Sequence, residues 1–157
     1  MSALGTIAPD GERRRIRFER HFDAPIAGVW SALTDPERLA RWLAPASFAD
    51  GAVRLEFDAE NVVTGALLAS DPPRLLEYEW RFPGETESVV RFELFEDGDA
   101  TMLVLEHRLL GAGQAVGYGA GWHAHLDGLA DELASTSGSW DERFAEWLPR
   151  YRALAAS

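Results

Sequence analysis

A chain of 157 residues with 46% hydrophobic content is sized for one globular domain, and such a domain buries roughly 68–70% of its unfolded surface without a metal or disulfide staple. The absence of cysteine excludes disulfides, thiol nucleophiles and cysteine–zinc sites. A net charge of −11, with every one of the 15 basic residues an arginine, repels a phosphate backbone and argues against a nucleic-acid partner.

No run approaches 18 uninterrupted apolar residues, and "MSALGTIAPDGERRR" holds no apolar signal core. The expectation is a soluble, cytoplasmic protein with no membrane partner. The one basic cluster, Glu12 to Arg17, reads as a solvated strand face.

Residues 1–11 read as an N-terminal extension ending in the turn signal Pro9–Asp10–Gly11. The stretch "IRFERHF" then alternates, with Ile16, Phe18 and Phe22 on one face and Arg20 breaking the apolar set. That pattern predicts a first strand. Arg20 is expected either where the sheet edge reaches water or paired with Glu106.

Two short helices follow. Pro25 opens a stripe of Ile26, Val29, Trp30 and Leu33, and Asp35–Pro36 restarts the signal with Leu39, Trp42 and Leu43 buried. Five strands come next. "AVRLEFD" puts Val53, Leu55 and Phe57 on one face, "NVVTGALLAS" is too apolar to phase, and "RLLEYEW" sets Leu76, Tyr78 and Trp80 inward. "SVVRFELFEDGDATMLVLEHRL" is a hairpin turning at Glu96–Asp99, with Val90, Phe92 and Leu94 facing in on one arm. Leu103, Leu105, His107 and Leu109 are expected to face in on the other. Consecutive strands without crossover helices make an antiparallel sheet.

From Gln114 to Ser135 the period is helical, with Tyr118, Trp122, Leu126, Leu129 and Leu133 in one stripe. His123 and His125 diverge by about 200° on that helix and so cannot share a metal from one face. His123 and Asp127 are spaced to meet, and His125 looks toward any cavity beneath the helix. The glycines of "LLGAGQAVGYGAG" miss the dinucleotide fingerprint by one residue and lack its βαβ context. They are read as a mobile mouth.

Residues 136–157 form an aromatic helical extension packed on the same domain. Ser139 and Glu142 have capping-box spacing. Trp140, Phe144, Trp147 and Leu148 are its expected buried side, and Pro149 is expected to end or kink the helix. The whole is α+β: a curved sheet gripping one long helix. No serine, histidine and acid share a local motif, and the sequence nominates no catalytic residue, cofactor or metal.

Taken together, "ERHFDAPIAGVWSALTDPERLARWL", "DPPRLLEYEW", "EDGDATMLVLEH" and "GWHAHLDGLADEL" resemble, in order over residues 12–135, the bacterial single-domain AHSA-type proteins. These are homologues of the C-terminal domain of the activator of the ninety-kilodalton heat-shock chaperone's ATPase, in the START-like, or SRPBCC, superfamily. The resemblance implies a helix-grip fold with an apolar cavity between sheet and long helix. It implies no shared catalytic set.

The expected function is binding of a small, largely apolar molecule. The candidate cavity residues are Trp42, Phe57, Tyr78, Trp80, Phe92, His107, Tyr118, Trp122, His125 and Leu126. Two alternatives stand beside it. One is a protein-interaction module, either chaperone-associated or a homodimer through the tail, although the chain has nothing like the eukaryotic activator's N-terminal chaperone-binding domain. The other is a cyclase- or lyase-type enzyme using His107 or His125 as acid or base.

Overall fold

The computed structural model describes residues 2–156. In chain order the elements are β1 (Thr6–Asp10), β2 (Arg13–Phe22), α1 (Ile26–Thr34), α2 (Pro36–Trp42), β3 (Ala46–Ala49) and β4 (Ala52–Glu56). They continue with β5 (Val62–Asp71), β6 (Leu75–Trp80), β7 (Ser88–Asp97), β8 (Ala100–Leu110), α3 (Ala115–Ala134) and α4 (Trp140–Ala156). The strands form one eight-stranded antiparallel sheet in the order β1-β2-β8-β7-β6-β5-β4-β3. Two of them were not foreseen: β1 lies within the expected extension and β3 follows the helix pair.

Side-chain alternation and strand register together build the inner face. Phe18, Leu105, Phe92 and Leu76 stand in one row across four strands, and Ile16, His107, Val90 and Tyr78 in the next. The outer face carries the complementary row Arg17–Glu106–Arg91–Glu77, in which Glu77 accepts from Arg108 at 2.8 Å. Arg17, not Arg20, therefore stands opposite Glu106. At Leu109 the alternation slips: its φ of +63° turns its side chain outward and puts Leu110 into the core.

The helix pair follows the proline logic. Asp35 ends α1 and caps α2, its carboxylate accepting from Glu37 N–H at 3.0 Å, with Pro36 in the first turn. The indole of Trp42 donates to Ala32 O at 2.7 Å and pins the two helices together.

The long helix α3 lies in the concavity of the sheet, burying Trp122, His123, Leu126 and Leu129. Helix α4 packs along it, and here the expected buried side is corrected. Trp147 and Tyr151 are the buried residues, Phe144 and Leu148 are half-buried, and Trp140 is 38% exposed. The helix also runs on through Pro149. The proline leaves the Ala145 carbonyl without its helical donor on an exposed face, while buried Tyr151 anchors the turn beyond it.

That anchor needs a glycine opposite. A Cβ on Gly119 would lie 2.6 Å from the Tyr151 ring, whereas one on Gly117, two residues earlier in the same helix, would meet nothing within 4 Å. Gly119→Ala is therefore expected to cost about 1–3 kcal/mol by overpacking. Gly117→Ala is expected to gain about 0.5–1 kcal/mol of helix propensity. Thermal melts should move in opposite directions, and a fall in both would show that Gly117 is not the open position described.

Candidate ligand site

A cleft of about 790 Å³ opens between the sheet and the first half of α3. Trp80 at the end of β6 forms its back wall with Trp122 of α3, their rings 5.4 Å apart. Phe57, just past β4, lies 6.0 Å from Trp80 and 5.9 Å from His125. Trp42 and Leu43 contribute from the end of α2. The first turns of α4 supply the outer rim, where Trp140 stacks on Phe144 at 4.8 Å and sits 5.3 Å from His125. Gly113, Gly117 and Gly121 line the side facing solvent, so the glycine stretch does border the mouth, although from Ala115 onward it is helical.

Of the ten residues expected at a cavity, Trp42, Phe57, Trp80, Tyr118, Trp122 and His125 line this cleft. Tyr78, Phe92, His107 and Leu126 do not; they are buried in the core behind it. Phe82 and Glu85 were missed, because the irregular segment between β6 and β7 has no periodicity to read. Trp140 and Phe144 were expected as tail residues facing the body and instead form the rim.

His107 is the hub of the core behind the wall. The Trp122 indole donates to its Nδ1 at 2.9 Å, which leaves Nε2 to carry the proton and donate to Ser88 Oγ at 2.7 Å. Ser88 Oγ in turn donates to Trp80 O at 3.3 Å. Every atom of this chain is satisfied with the imidazole neutral, and burial pushes the His107 pKa down to about 3. His125 is lowered to about 4, its burial outweighing the bond to the Trp42 carbonyl. That carbonyl only accepts, so the His125 proton sits on Nδ1, 3.1 Å away, and Nε2 is the acceptor.

The other α3 histidine points away, as helical geometry requires. His123 stacks on Trp147 at 3.7 Å and bonds through Nδ1 to Tyr151 OH at 2.7 Å. It does not meet Asp127 directly: Ser2 Oγ lies between them, 2.7 Å from His123 Nε2 and 2.6 Å from Asp127 Oδ1. Burial, and then the charge of Arg20, lower the His123 pKa to about 4. Arg20 is only 8% exposed and lies over the Phe18 ring at 5.2 Å. Burial lowers its pKa, with Tyr151 and Asp127 opposing. Among the described residues no group of three or more histidine, aspartate or glutamate side chains is placed to hold a metal ion.

This architecture is shared with solved structures. CalU16 from Micromonospora echinospora superposes with a TM-score of 0.79 at 32% identity, over 100% of this chain and 98% of that one. The protein encoded by BPP1335 from Bordetella parapertussis matches at 0.75 and 31%, over 97% and 92%. DynU16, a protein in the dynemicin biosynthetic locus, matches at 0.72 and 27%, over 81% of this chain and 48% of that one. No curated protein matches the sequence. The family described as Activator of Hsp90 ATPase homolog 1-like protein matches residues 23–134, from the turn before α1 to the end of α3. With that match, and with the sheet gripping α3 as the fold requires, the chain belongs to the Activator of Hsp90 ATPase homolog 1-like family.

Proposed function

We propose that the protein binds a small, largely apolar molecule in the cleft between sheet and α3, acting in the cytoplasm. The observation that carries this reading is the open space itself: about 790 Å³ walled by aromatic rings, within the roughly 300–1,000 Å³ usual for small-molecule sites. Each 100 Å² of apolar ligand surface buried there contributes about 2.5 kcal/mol before the costs of association. That one structural neighbour, DynU16, is a protein of a biosynthetic locus supports a role around a small organic molecule.

Two other readings have less beneath them. An enzyme using His107 or His125 as acid or base would need that imidazole to titrate near neutrality, yet His107 is committed on both nitrogens and His125 is held neutral. A homodimer through the tail would need a free apolar face on α4, but Trp147 and Tyr151 are spent within the chain, and exposed Trp140 and Leu154 stand far apart at the two ends of the helix. The chaperone reading rests on the family description alone. No described helix is long and apolar enough to cross a membrane.

Phe57 is the residue on which to test binding, since it is a half-buried wall residue. Trp122 is less suitable, because truncating so buried a ring costs about 3–5 kcal/mol in stability. Nile red, a neutral apolar dye, is expected to bind with a 1:1 stoichiometry by fluorescence titration. Phe57→Ala should weaken it by about tenfold, the equivalent of ~1.4 kcal/mol. Native mass spectrometry of the purified protein should also retain a stoichiometric small molecule, or show one adding on titration. A cleft that takes up neither the dye nor any molecule would end this proposal.

The neutral histidines give a second test. With folded pKa values of about 3, 4 and 4 for His107, His123 and His125, the unfolded chain binds more protons between those values and ~6.5. Stability is thus complete above pH ~6.5 and falls as the pH drops toward 4. Unfolding at pH 6, followed by calorimetry in buffers of different ionisation enthalpy, should take up about two protons from these groups. An uptake near zero would mean that the three imidazoles titrate in the folded protein as they do in water.

A further inference from the structure

The hydrogen-bonding inventory of the cleft is lopsided. All four of its indole N–H groups are consumed within the protein: Trp42 donates to Ala32 O, Trp80 to Tyr118 OH, Trp122 to His107 Nδ1 and Trp140 to Gly121 O. Having accepted from Trp80 at 2.9 Å, the Tyr118 hydroxyl donates its own proton to Glu85. The rim guanidinium of Arg41 is turned to Glu132 at 3.1 Å, and the Asn61 side-chain amide donates to Asp58. The side-chain N–H groups left over belong to the Gln114 amide and, at the rim, to Asn61 and Arg41, which give only part of theirs to Asp58 and Glu132.

Beside the aromatic rings, what the cleft leaves open are acceptors. His125 presents the lone pair of Nε2, since its proton is fixed on Nδ1. The Glu85 carboxylate has Tyr118 as its single hydrogen-bond donor and no ion-pair partner among the described residues; neighbouring Arg81 pairs instead with Glu79 and Glu87. Asp58 and Asp141 add negative charge at the rim, although each also has a local duty, the turn to Asn61 and the first turn of α4. A full acceptor set beside aromatic faces, in a chain of net charge −11, is complementary to a ligand that brings its own N–H donors and a positive charge.

We infer that the ligand of this cleft carries a protonated amine on an apolar or aromatic body, with the ammonium held at Glu85 against the Trp80 and Tyr118 rings. This rests on the cleft being a binding site, as proposed above, and adds the ligand's chemical class. Tyr118 keeps its proton well above neutral pH, because burial and then Glu85 raise its pKa, so Glu85 faces the ligand as an acceptor.

Three naphthalene probes of similar size separate the two readings at pH 7: 1-naphthylmethylamine (cationic), 1-ethylnaphthalene (neutral) and 1-naphthylacetate (anionic). Quenching of tryptophan fluorescence should show the amine binding about tenfold more tightly than the neutral probe, with the acetate weakest and the amine's advantage shrinking as salt rises. Glu85→Gln keeps an acceptor for Tyr118 but removes the charge. It should erase the amine's advantage while leaving affinity for 1-ethylnaphthalene unchanged.

If the neutral probe binds and the amine gains nothing, or if its gain survives Glu85→Gln, the cationic class is wrong and the apolar binding site stands. If no probe binds, both readings fall.

Discussion

The grip of the sheet on α3 depends on one buried imidazole. His107 stands at the centre of the inner face and joins three pieces of backbone: it accepts from Trp122 of the helix and donates to Ser88, which in turn bonds the Trp80 carbonyl. A hydrocarbon at that position would pack as well, but would leave the Trp122 N–H unpaired inside the core, at a cost of about 1–3 kcal/mol. The chain of bonds sets the rotation of α3 about its axis, since only one presentation of Trp122 reaches Nδ1. With that rotation fixed, His123 and His125 have no choice of side.

The two flanks of the helix have accordingly become different environments. Toward His123 the protein is closed. Tyr151, Trp147 and Asp127 leave room for the Ser2 hydroxyl and join it and His123 in one run of hydrogen bonds, while Nε and Nη2 of buried Arg20 beside them have no hydrogen-bond partner among the described residues. Toward His125 the space is open, and small residues border it where larger ones would fill it. Glu132 holds the edge of that opening by pairing with Arg38 and Arg41 of α2. One helix thus has a sealed polar core on one side and an aromatic cleft on the other.

Much of this was legible in the sequence, and the division follows from periodicity. Alternation in β2, β6, β7 and β8 named the inner face almost residue by residue, because one face is buried and the other charged. The helix pair was equally plain from Pro25, Asp35 and Pro36. The strands β1 and β3 escaped because they are short, lie at the sheet's two edges and bury little. Pattern also fails where backbone handedness changes, as at Leu109. Arg20 and Tyr151 lay beyond it for a different reason: their environment is made by α4 folding back, and nothing local encodes that. For the site, the aromatic wall was visible as inward residues, but depth was not. Tyr78 and Trp80 look alike along β6, yet one is core and the other lines the cleft. Glu85 sits in an aperiodic loop, and its importance comes only from which donors the neighbouring rings have already spent.

The Gly5 amide donates to the Tyr151 hydroxyl at 2.8 Å across 146 positions of sequence. That contact joins the first strand region to the last helix, with α3 between them. A growing chain emerging from a ribosome can assemble the hairpins early, because their pairings are local. It cannot close the polar cluster around His123 until the segment bearing Tyr151 has also emerged. Up to that moment the sealed flank of α3 is as open as the ligand cleft. Whatever guards the nascent chain must therefore cover two openings, one polar and one aromatic, of which the finished protein keeps the second.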